Sequence, residues 1–296
     1  MNNKKVLITG ASGQLGYELQ CSIPSHYRVF ACDADVLDIT NTQKIQKIIE
    51  VQQPDIIINA AAYTAVDKAE TEVNLAWKIN HLGAENLAKI ATQHSIQLVQ
   101  ISTDFIFDGR QSSPYLAEPY LAEPYLSKPL SVYGQSKLAG EQAVLEYAPN
   151  SLLIRTAWLY SSHGNNFVKS MLNFMQTRES LGIISDQVGT PTWANTLAVT
   201  IWQLLDKGST GIYHCSDNGV ASWYDFAIAI QTLALQHGLL NQKIPIKSIQ
   251  TRDYPTPAVR PAYSLMDKTK TESCLGITLP HWQTSLNKML QSIKSL

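Results

Sequence analysis

A tyrosine and a lysine lie four residues apart in the stretch Ser131-Val-Tyr-Gly-Gln-Ser-Lys137. On a helix, this spacing puts the Tyr133 phenol and the Lys137 ammonium on one face, about one turn apart. A nearby positive charge favours the phenolate and would bring the phenol pKa down from about 10, so that the pair could exchange a proton with a substrate. Such a spacing is common in a chain with 13 tyrosines, so a catalytic role needs support from the rest of the sequence.

The composition favours a small molecule as the main partner. The chain has 296 residues, enough for one large domain or two smaller ones, and 23 Lys plus Arg almost balance 24 Asp plus Glu. No basic run points to nucleic acid, and no apolar run approaches the roughly 18 residues of a membrane span. A turn signal already at Gly10 leaves no room for a signal peptide, so we expect a cytoplasmic protein. The four cysteines are dispersed without metal-ligand spacing, and no metal site is predicted.

A glycine-rich turn follows the first predicted strand, Lys4–Thr9. It reads Gly10-Ala-Ser-Gly-Gln-Leu-Gly16 and leads into an apolar-periodic helix. Glycines let a backbone approach a pyrophosphate, whose charge a helix N-terminus stabilises. Asp33 ends the second predicted strand, 17 residues beyond Gly16, where an acidic residue would bind an adenosine ribose.

Further short buried strands alternate with helical patterns, at Asp55–Asn59, Gln97–Ser102 and Leu152–Thr156. This alternation predicts an α/β fold with a Rossmann-like, doubly wound parallel sheet, whose ligands bind beyond the carboxyl ends of the strands. Ala60–Thr64 and Thr103 follow two of these strands, so we expect them at the same edge as Gly10–Gly16. Small side chains at Ala60, Ala61 and Ala62 would admit a flat ring or a phosphate, or serve only tight packing.

The glycine-rich turn with Thr103, Tyr133 and Lys137 resembles the extended short-chain dehydrogenases/reductases. Longer blocks are similar to the dTDP-4-dehydrorhamnose reductase family over nearly the whole chain. These blocks are Asn59–Glu70, Ser102–Gly109, Val132–Glu141, Ile154–Trp158, Asp186–Thr192, Ser222–Phe226 and Pro257–Pro261.

This resemblance implies that NADPH or NADH gives a hydride to C4 of dTDP-4-dehydro-L-rhamnose, a dTDP-linked deoxysugar. Tyr133 would donate the proton, Lys137 would lower its pKa and reach the nicotinamide ribose, and Thr103 would polarise the carbonyl. A magnesium ion and a homodimer are left open. The implied cofactor residues are Gly10, Gly13, Gln14, Leu15, Gly16, Asp33, Asp38, Ile39, Ala60, Ala61, Ala62, Tyr133 and Lys137. The implied substrate residues are Thr64, Val66, Thr103, Asp104, Tyr133, Trp158 and Arg260.

The resemblance also implies two domains. Residues 1–160 with about 193–207 would bind the cofactor, and about 161–192 with 208–296 would form a smaller α/β substrate-binding domain. Two of the assigned residues have a second interpretation: Trp158 could be a core aromatic, and Arg260 could be solvated rather than clamp a diphosphate.

The sequence departs from the family at three places. A pentapeptide is repeated as Tyr115-Leu-Ala-Glu-Pro119, Tyr120-Leu-Ala-Glu-Pro124 and Tyr125-Leu-Ser-Lys-Pro129, which predicts a loop that is either a lid over the site or a tolerated surface insertion. Phe105 stands where the family commonly has Tyr. Asp33 suits a ribose 2′-hydroxyl better than a 2′-phosphate, so the preference between NADPH and NADH is open.

Two other functions compete with this one. A related non-catalytic protein is the regulatory subunit of methionine adenosyltransferase, but the intact Thr103, Tyr133 and Lys137 argue against that role. A reductase of another nucleotide-linked 4-keto-6-deoxysugar is the second alternative, which the repeat and Phe105 keep open. Epimerase or dehydratase chemistry would need more acid/base groups than the Asp104 that follows Thr103.

Overall fold

The structure, a computed structural model, describes residues 3–117 and 128–294. The strands are β1 (Lys4–Thr9), β2 (Tyr27–Cys32), β3 (Ile56–Asn59), β4 (Gln97–Thr103), β5 (Leu152–Thr156), β6 (Leu159–Tyr160), β7 (Leu181–Ile184), β8 (Val188–Gly189), β9 (Thr192–Trp193), β10 (Gly211–His214), β11 (Ala221–Ser222) and β12 (Ile246–Ile249). The α-helices are α1 (Gln14–Cys21), α2 (Thr42–Gln52), α3 (Val66–Ala69), α4 (Val73–Trp77), α5 (Gly83–Gln93), α6 (Val132–Tyr147), α7 (Phe167–Thr177), α8 (Ala194–Asp206), α9 (Trp223–Gln236), α10 (Thr269–Leu275) and α11 (Trp282–Lys294). A π-helical turn, Lys78–Leu82, joins α4 to α5, and 3₁₀ turns lie at Asp104–Ile106 and Thr251–Asp253.

Six parallel strands form the central sheet in the order β10-β5-β4-β3-β1-β2. The chain runs from β1 to β2 in one direction and then returns to place β3 on the other side of β1. The strand order therefore reverses between β1 and β3, and the crevice beyond such a reversal is where open α/β sheets bind ligands. The predicted Rossmann-like fold is confirmed.

Helices cover both faces of this sheet, as its uninterrupted apolar strands require. On one face, Leu197, Ile201 and Trp202 of α8 pack with Leu19 of α1 against β1, β3 and β5. On the other face, helices α2, α5 and α6 cover the sheet, with Leu87 fully buried. Burial on both faces fixes the strand ends that carry the predicted site.

A second apolar core lies outside the sheet and joins α7, α9 and α11. The helical spacing of Trp223, Phe226, Ile230 and Leu233 predicts a core face, and the structure buries Phe226 and Ile230 completely but leaves the other two partly exposed. Ser222 caps α9 and forms a capping box with Asp225.

The central sheet extends past one boundary of the predicted domain division. The division at residue 208 puts Gly211–His214 in the substrate region, yet these residues form β10, which pairs with β5 at the edge of the central sheet. In the first unit of the repeat, Tyr115 is fully buried, stacks on Phe107 at 4.0 Å and donates a hydrogen bond to Asp108. The pairing of β10 and the burial of Tyr115 both depend on residues that are distant in the sequence. A local sequence pattern does not contain this information. The proposed lid falls mainly on residues 118–127, outside the described residues.

Asp217, just beyond β10, gives the protein a pH-dependent stability. The carboxylate is fully buried and accepts a hydrogen bond from the Trp193 N–H at 3.2 Å, and burial raises the pKa of this group to about 6. Because the folded state holds the proton more tightly than the unfolded state, this group stabilises the fold most below about pH 4, and its contribution is lost as pH rises through 6.

The variant Asp217→Asn keeps an acceptor for Trp193 but cannot ionise. We therefore expect its free energy of unfolding, relative to that of the parent, to rise by roughly 3 kcal/mol between pH 4 and pH 7. Urea unfolding at several pH values measures this difference. A difference that does not change with pH would contradict the assigned pKa.

No helix within the described ranges combines the length and the apolar composition needed to cross a membrane.

Candidate active site

The glycine-rich turn forms a backbone cradle at the switch point of the sheet. Gly10 has a φ of +69°, and a Cβ added there would lie 2.8 Å from the Ala61 backbone. A Cβ on Gly16 would overlap the Gly10 carbonyl oxygen. Gly13 caps α1, and Gln14 is the first residue of that helix. A backbone this bare, next to a helix N-terminus, fits the pyrophosphate of a dinucleotide.

Asp33 follows β2 and faces the same turn. Both carboxylate oxygens accept a hydrogen bond from the Ser12 N–H, at 3.0 and 3.2 Å. Asp38 instead accepts hydrogen bonds from the amide and hydroxyl of Thr40. Two of the predicted cofactor residues, Leu15 and Ile39, have side chains buried in the two cores of the sheet. Only their backbones could face a cofactor.

Asn80, in the π-helical turn, holds the segment after β3 against helix α6. Its side chain accepts a hydrogen bond from the Tyr63 N–H and donates to the Tyr63 carbonyl and to the Ser136 hydroxyl. Ala60, Ala61 and Ala62 lie partly exposed at the start of this segment. A π-turn shifts helix side chains by one position, which explains why a regular 3.6-residue pattern did not reveal Asn80.

Tyr133 and Lys137 are both buried on α6, as the spacing predicts. Burial raises the pKa of the Tyr133 phenol to about 12, against a smaller lowering by the neighbouring Thr103 hydroxyl. Lys137 Nζ donates to the Ile101 carbonyl at 2.6 Å, and burial lowers its pKa to about 8. The structure therefore brings the three predicted catalytic residues together. Burial, rather than the predicted effect of Lys137, dominates the pKa of this phenol, so the phenol is protonated at neutral pH.

Asp104 and Phe105 complete the surroundings of the phenol. Asp104 is fully buried, accepts a hydrogen bond from Thr103 at 3.2 Å, and has its pKa raised by burial to about 6. The Phe105 ring packs edge-on against Tyr133 at 5.4 Å. One side of the phenol is therefore apolar where the family commonly has a hydroxyl.

A cavity of about 420 Å³ lies between α7, β7 and the loop that carries Arg260. Trp223 lines it and stacks face to face on Trp158 at 3.7 Å, and Trp158 is partly buried against two apolar clusters. Trp158 has a φ of +46°, and a Cβ on Gly189 would lie 2.7 Å from its ring. Gly189 in the Asp186–Thr192 block therefore makes room for this indole.

Arg260 lines the same cavity and is not free in solvent. Its guanidinium pairs with both carboxylate oxygens of Asp67, at 3.1 and 2.7 Å. That carboxylate pKa is lowered, first by the hydrogen bonds from Arg260. Val66, next to Asp67, packs in the cluster around Tyr133, whereas Thr64 is exposed. Arg178 also lines the cavity, and its position in an unremarkable helix end gave no sequence signal.

The loop between β6 and α7 contacts the glycine-rich turn, and the sequence did not predict this contact. His163 Nε2 lies 2.9 Å from the Ser12 carbonyl oxygen, and its ring stacks on Tyr17. Asn166 caps α7 and donates to the Gln14 side chain at 3.0 Å. The only available signal was a polar stretch after β6, which is typical of any loop.

The magnesium ion that the sequence left open has no support. Within residues 3–117 and 128–294, no group of three or more His, Cys, Asp and Glu side chains is placed to hold a metal ion.

A glycine-rich cradle at the switch point of a parallel sheet, with Thr, Tyr and Lys beside it, defines a nicotinamide-dependent protein of the short-chain dehydrogenase/reductase type. Residues 4–295 match the family model described as RmlD substrate binding domain, and the chain belongs to this family. The resemblance stated from the sequence is confirmed.

Similar proteins include two dTDP-4-dehydrorhamnose reductases. The one from Aggregatibacter actinomycetemcomitans is 42% identical over 96% of this chain and 98% of its own length. The one from Escherichia coli strain K12 is 37% identical over 97% of each chain. A crystal structure of the Bacillus anthracis dTDP-4-dehydrorhamnose reductase in complex with NADP superposes with a TM-score of 0.90, at 36% identity over 98% of this chain and 99% of that one.

Proposed function

We propose that the protein reduces the C4 keto group of dTDP-4-dehydro-L-rhamnose to give dTDP-L-rhamnose, using a nicotinamide cofactor. The observation that carries the proposal is the buried Tyr133 phenol, with Thr103 and Lys137 beside it, at the edge of the sheet where the glycine-rich cradle also lies. The bound reduced nicotinamide supplies the hydride. Similarity of nearly the whole chain to enzymes of that name supports the choice of substrate.

Tyr133 acts as the acid. A carbonyl oxygen that gains a hydride becomes an alkoxide, which is a far stronger base than a phenolate, so a phenol with a pKa of about 12 still protonates it. The Thr103 hydroxyl, which donates to Asp104 at 3.2 Å in the structure, would turn to donate to the same carbonyl. The Lys137 ammonium lies one turn along α6, where its charge would stabilise the phenolate that remains.

The sugar nucleotide would extend from Tyr133 to the cavity beside Arg260. Thr64, Val66, Asp104 and Trp158 would contact the sugar near Tyr133, and Arg260 would bind the diphosphate. The cavity next to Arg260 is lined mainly by apolar side chains, among them Phe167, Met171 and Trp223, which suits a nucleoside base. We divide the chain accordingly into a cofactor domain, 1–160 with 193–214, and a substrate domain formed by the rest.

The charge of Asp33 is the feature of this chain that bears most directly on the preference between NADPH and NADH. We assign NADPH on the basis of the NADP complex of the Bacillus anthracis protein, although the Asp33 charge would repel a 2′-phosphate. Asp33→Asn removes the charge but keeps an oxygen for the Ser12 N–H. We expect the ratio of kcat/KM for NADPH to that for NADH to rise about tenfold, equivalent to about 1.4 kcal/mol. An unchanged ratio would mean that Asp33 does not face the adenosine ribose.

NADPH oxidation by the pure protein, followed at 340 nm with enzymatically prepared dTDP-4-dehydro-L-rhamnose, tests the proposed activity. Oxidation should require both the sugar nucleotide and the enzyme. No oxidation with either cofactor would exclude the proposed function. Oxidation with another nucleotide-linked 4-keto-6-deoxysugar but not this one would identify the alternative reductase.

A further inference from the structure

Helix α3 and the residue that follows it, Glu70, contact two parts of the site. One is Arg260, which lines the cavity, and the other is helix α6, which carries Tyr133. Asp67 and Glu70 are three residues apart, so their side chains leave neighbouring points of one turn. Asp67 pairs with Arg260, 193 residues away, and Glu70 accepts a hydrogen bond from the Val132 N–H, 62 residues away. Neither acid has a role in the proposed reaction.

Asp67 fixes the orientation of the arginine. Its two oxygens accept from Nη1 and Nη2 of Arg260, and one of them also accepts from the Ala258 N–H at 3.2 Å. Nη1 donates in addition to the Thr256 hydroxyl at 2.6 Å and to the Ala258 carbonyl at 3.1 Å. This end-on pairing leaves the Nε–Nη2 edge of the guanidinium, the second of its bidentate faces, for an anion in the cavity.

Glu70 fixes the start of helix α6. Ser131 caps this helix by accepting from the Gly134 N–H at 3.2 Å, and the Glu70 carboxylate accepts from the Val132 N–H at 2.9 Å. The first N–H groups of a helix have no partner within it, and a carboxylate there is favoured by the helix dipole. Tyr133 is the next residue, so Glu70 holds the backbone from which the phenol extends.

We propose that Asp67 and Glu70 are positioning residues that set the distance between the diphosphate-binding arginine and the proton-donating phenol. This inference rests on the proposed function, in which one sugar nucleotide contacts Arg260 through its diphosphate and Tyr133 through its sugar. Residues of a single helical turn would position both contacts. Asp67 acts through Arg260 on binding, and Glu70 acts through Val132 on the placement of Tyr133. The two acids should therefore affect different kinetic constants.

Calorimetric titration with dTDP and steady-state kinetics on the full chain test this assignment. Asp67→Asn keeps the bond to Ala258 but not the end-on pair, and should weaken dTDP binding about tenfold and raise KM with kcat nearly unchanged. Glu70→Ala should lower kcat by about 10- to 100-fold, the scale of a misplaced catalytic group, with dTDP binding unchanged. Glu70→Gln, whose amide oxygen can accept from Val132, should restore kcat.

Glu85→Gln serves as the matched control, because it removes an acid from an ion pair with Lys89 on α5, away from the cavity. It should leave both constants unchanged. The proposal is overturned if Asp67→Asn binds dTDP like the parent, or if Glu70→Ala and Glu70→Gln have the same kcat. A parent protein that binds no dTDP would instead overturn the proposed function and this inference with it.

Discussion

Replacing Tyr133 by Phe should lower kcat by roughly 10²- to 10⁴-fold, the usual contribution of a positioned general acid. The phenol is buried next to Thr103, so the variant loses the proton and keeps the ring that packs on Phe105. Binding of the cofactor should change little, because the backbone cradle at Gly10–Gly16 is untouched. Single-turnover kinetics with a saturating cofactor would measure the loss directly.

Tyr147→Phe is the control, since it removes a phenol hydroxyl from the other end of the same helix. It should retain the parent kcat. If Tyr133→Phe turned over at the parent rate, Tyr133 would not be the acid, and the neighbouring Asp104, with its pKa of about 6, would become the group to test.

Replacing Glu141 by Ala should destabilise the protein by about 3–5 kcal/mol, the cost of leaving a buried charge without its partner. Glu141 and Arg155 are both buried and form three N–H to oxygen contacts between 2.8 and 3.2 Å. Arg155 Nη1 also donates to the Ala117 carbonyl at 3.2 Å, which ties the first unit of the repeat to β5. Denaturant unfolding at pH 7 measures the loss.

Glu146→Ala removes an exposed acid from the same helix and should change stability by no more than about 0.5 kcal/mol. The double variant Glu141→Leu with Arg155→Met removes both charges and should recover much of the loss, because no charge is then left unpaired. If Glu141→Ala were as stable as the parent, the pair would not hold the helix against β5.

The sequence predicted the sheet and the edge where the site lies. Short apolar strands were predicted at Lys4–Thr9 and Asp55–Asn59, each followed by small residues. This pattern is typical of a parallel sheet, in which the loops that follow the strands lie at one edge. The grouping of Thr103 with Tyr133 follows from the same rule, since one ends a strand and the other begins the next helix.

What the sequence did not predict depends on contacts between distant residues. The Asp67 and Arg260 pair joins segments 193 residues apart, and neither local pattern indicates the other. The raised pKa of Tyr133 is set by burial, which the spacing to Lys137 does not report. Asn80 lies in a π-turn, and β10 pairs with β5, a strand that is distant in the sequence.

The measurement that tests the central claim most directly follows the hydride itself. The protein is incubated with dTDP-4-dehydro-L-rhamnose and NADPH that carries deuterium at C4 of the nicotinamide, separately in each of its two faces. We predict that one of the two labelled forms transfers a single deuterium to C4 of the sugar and that the product is dTDP-L-rhamnose, as nuclear magnetic resonance and mass spectrometry would show. A product without deuterium from either form, or with deuterium at another carbon, would contradict the account.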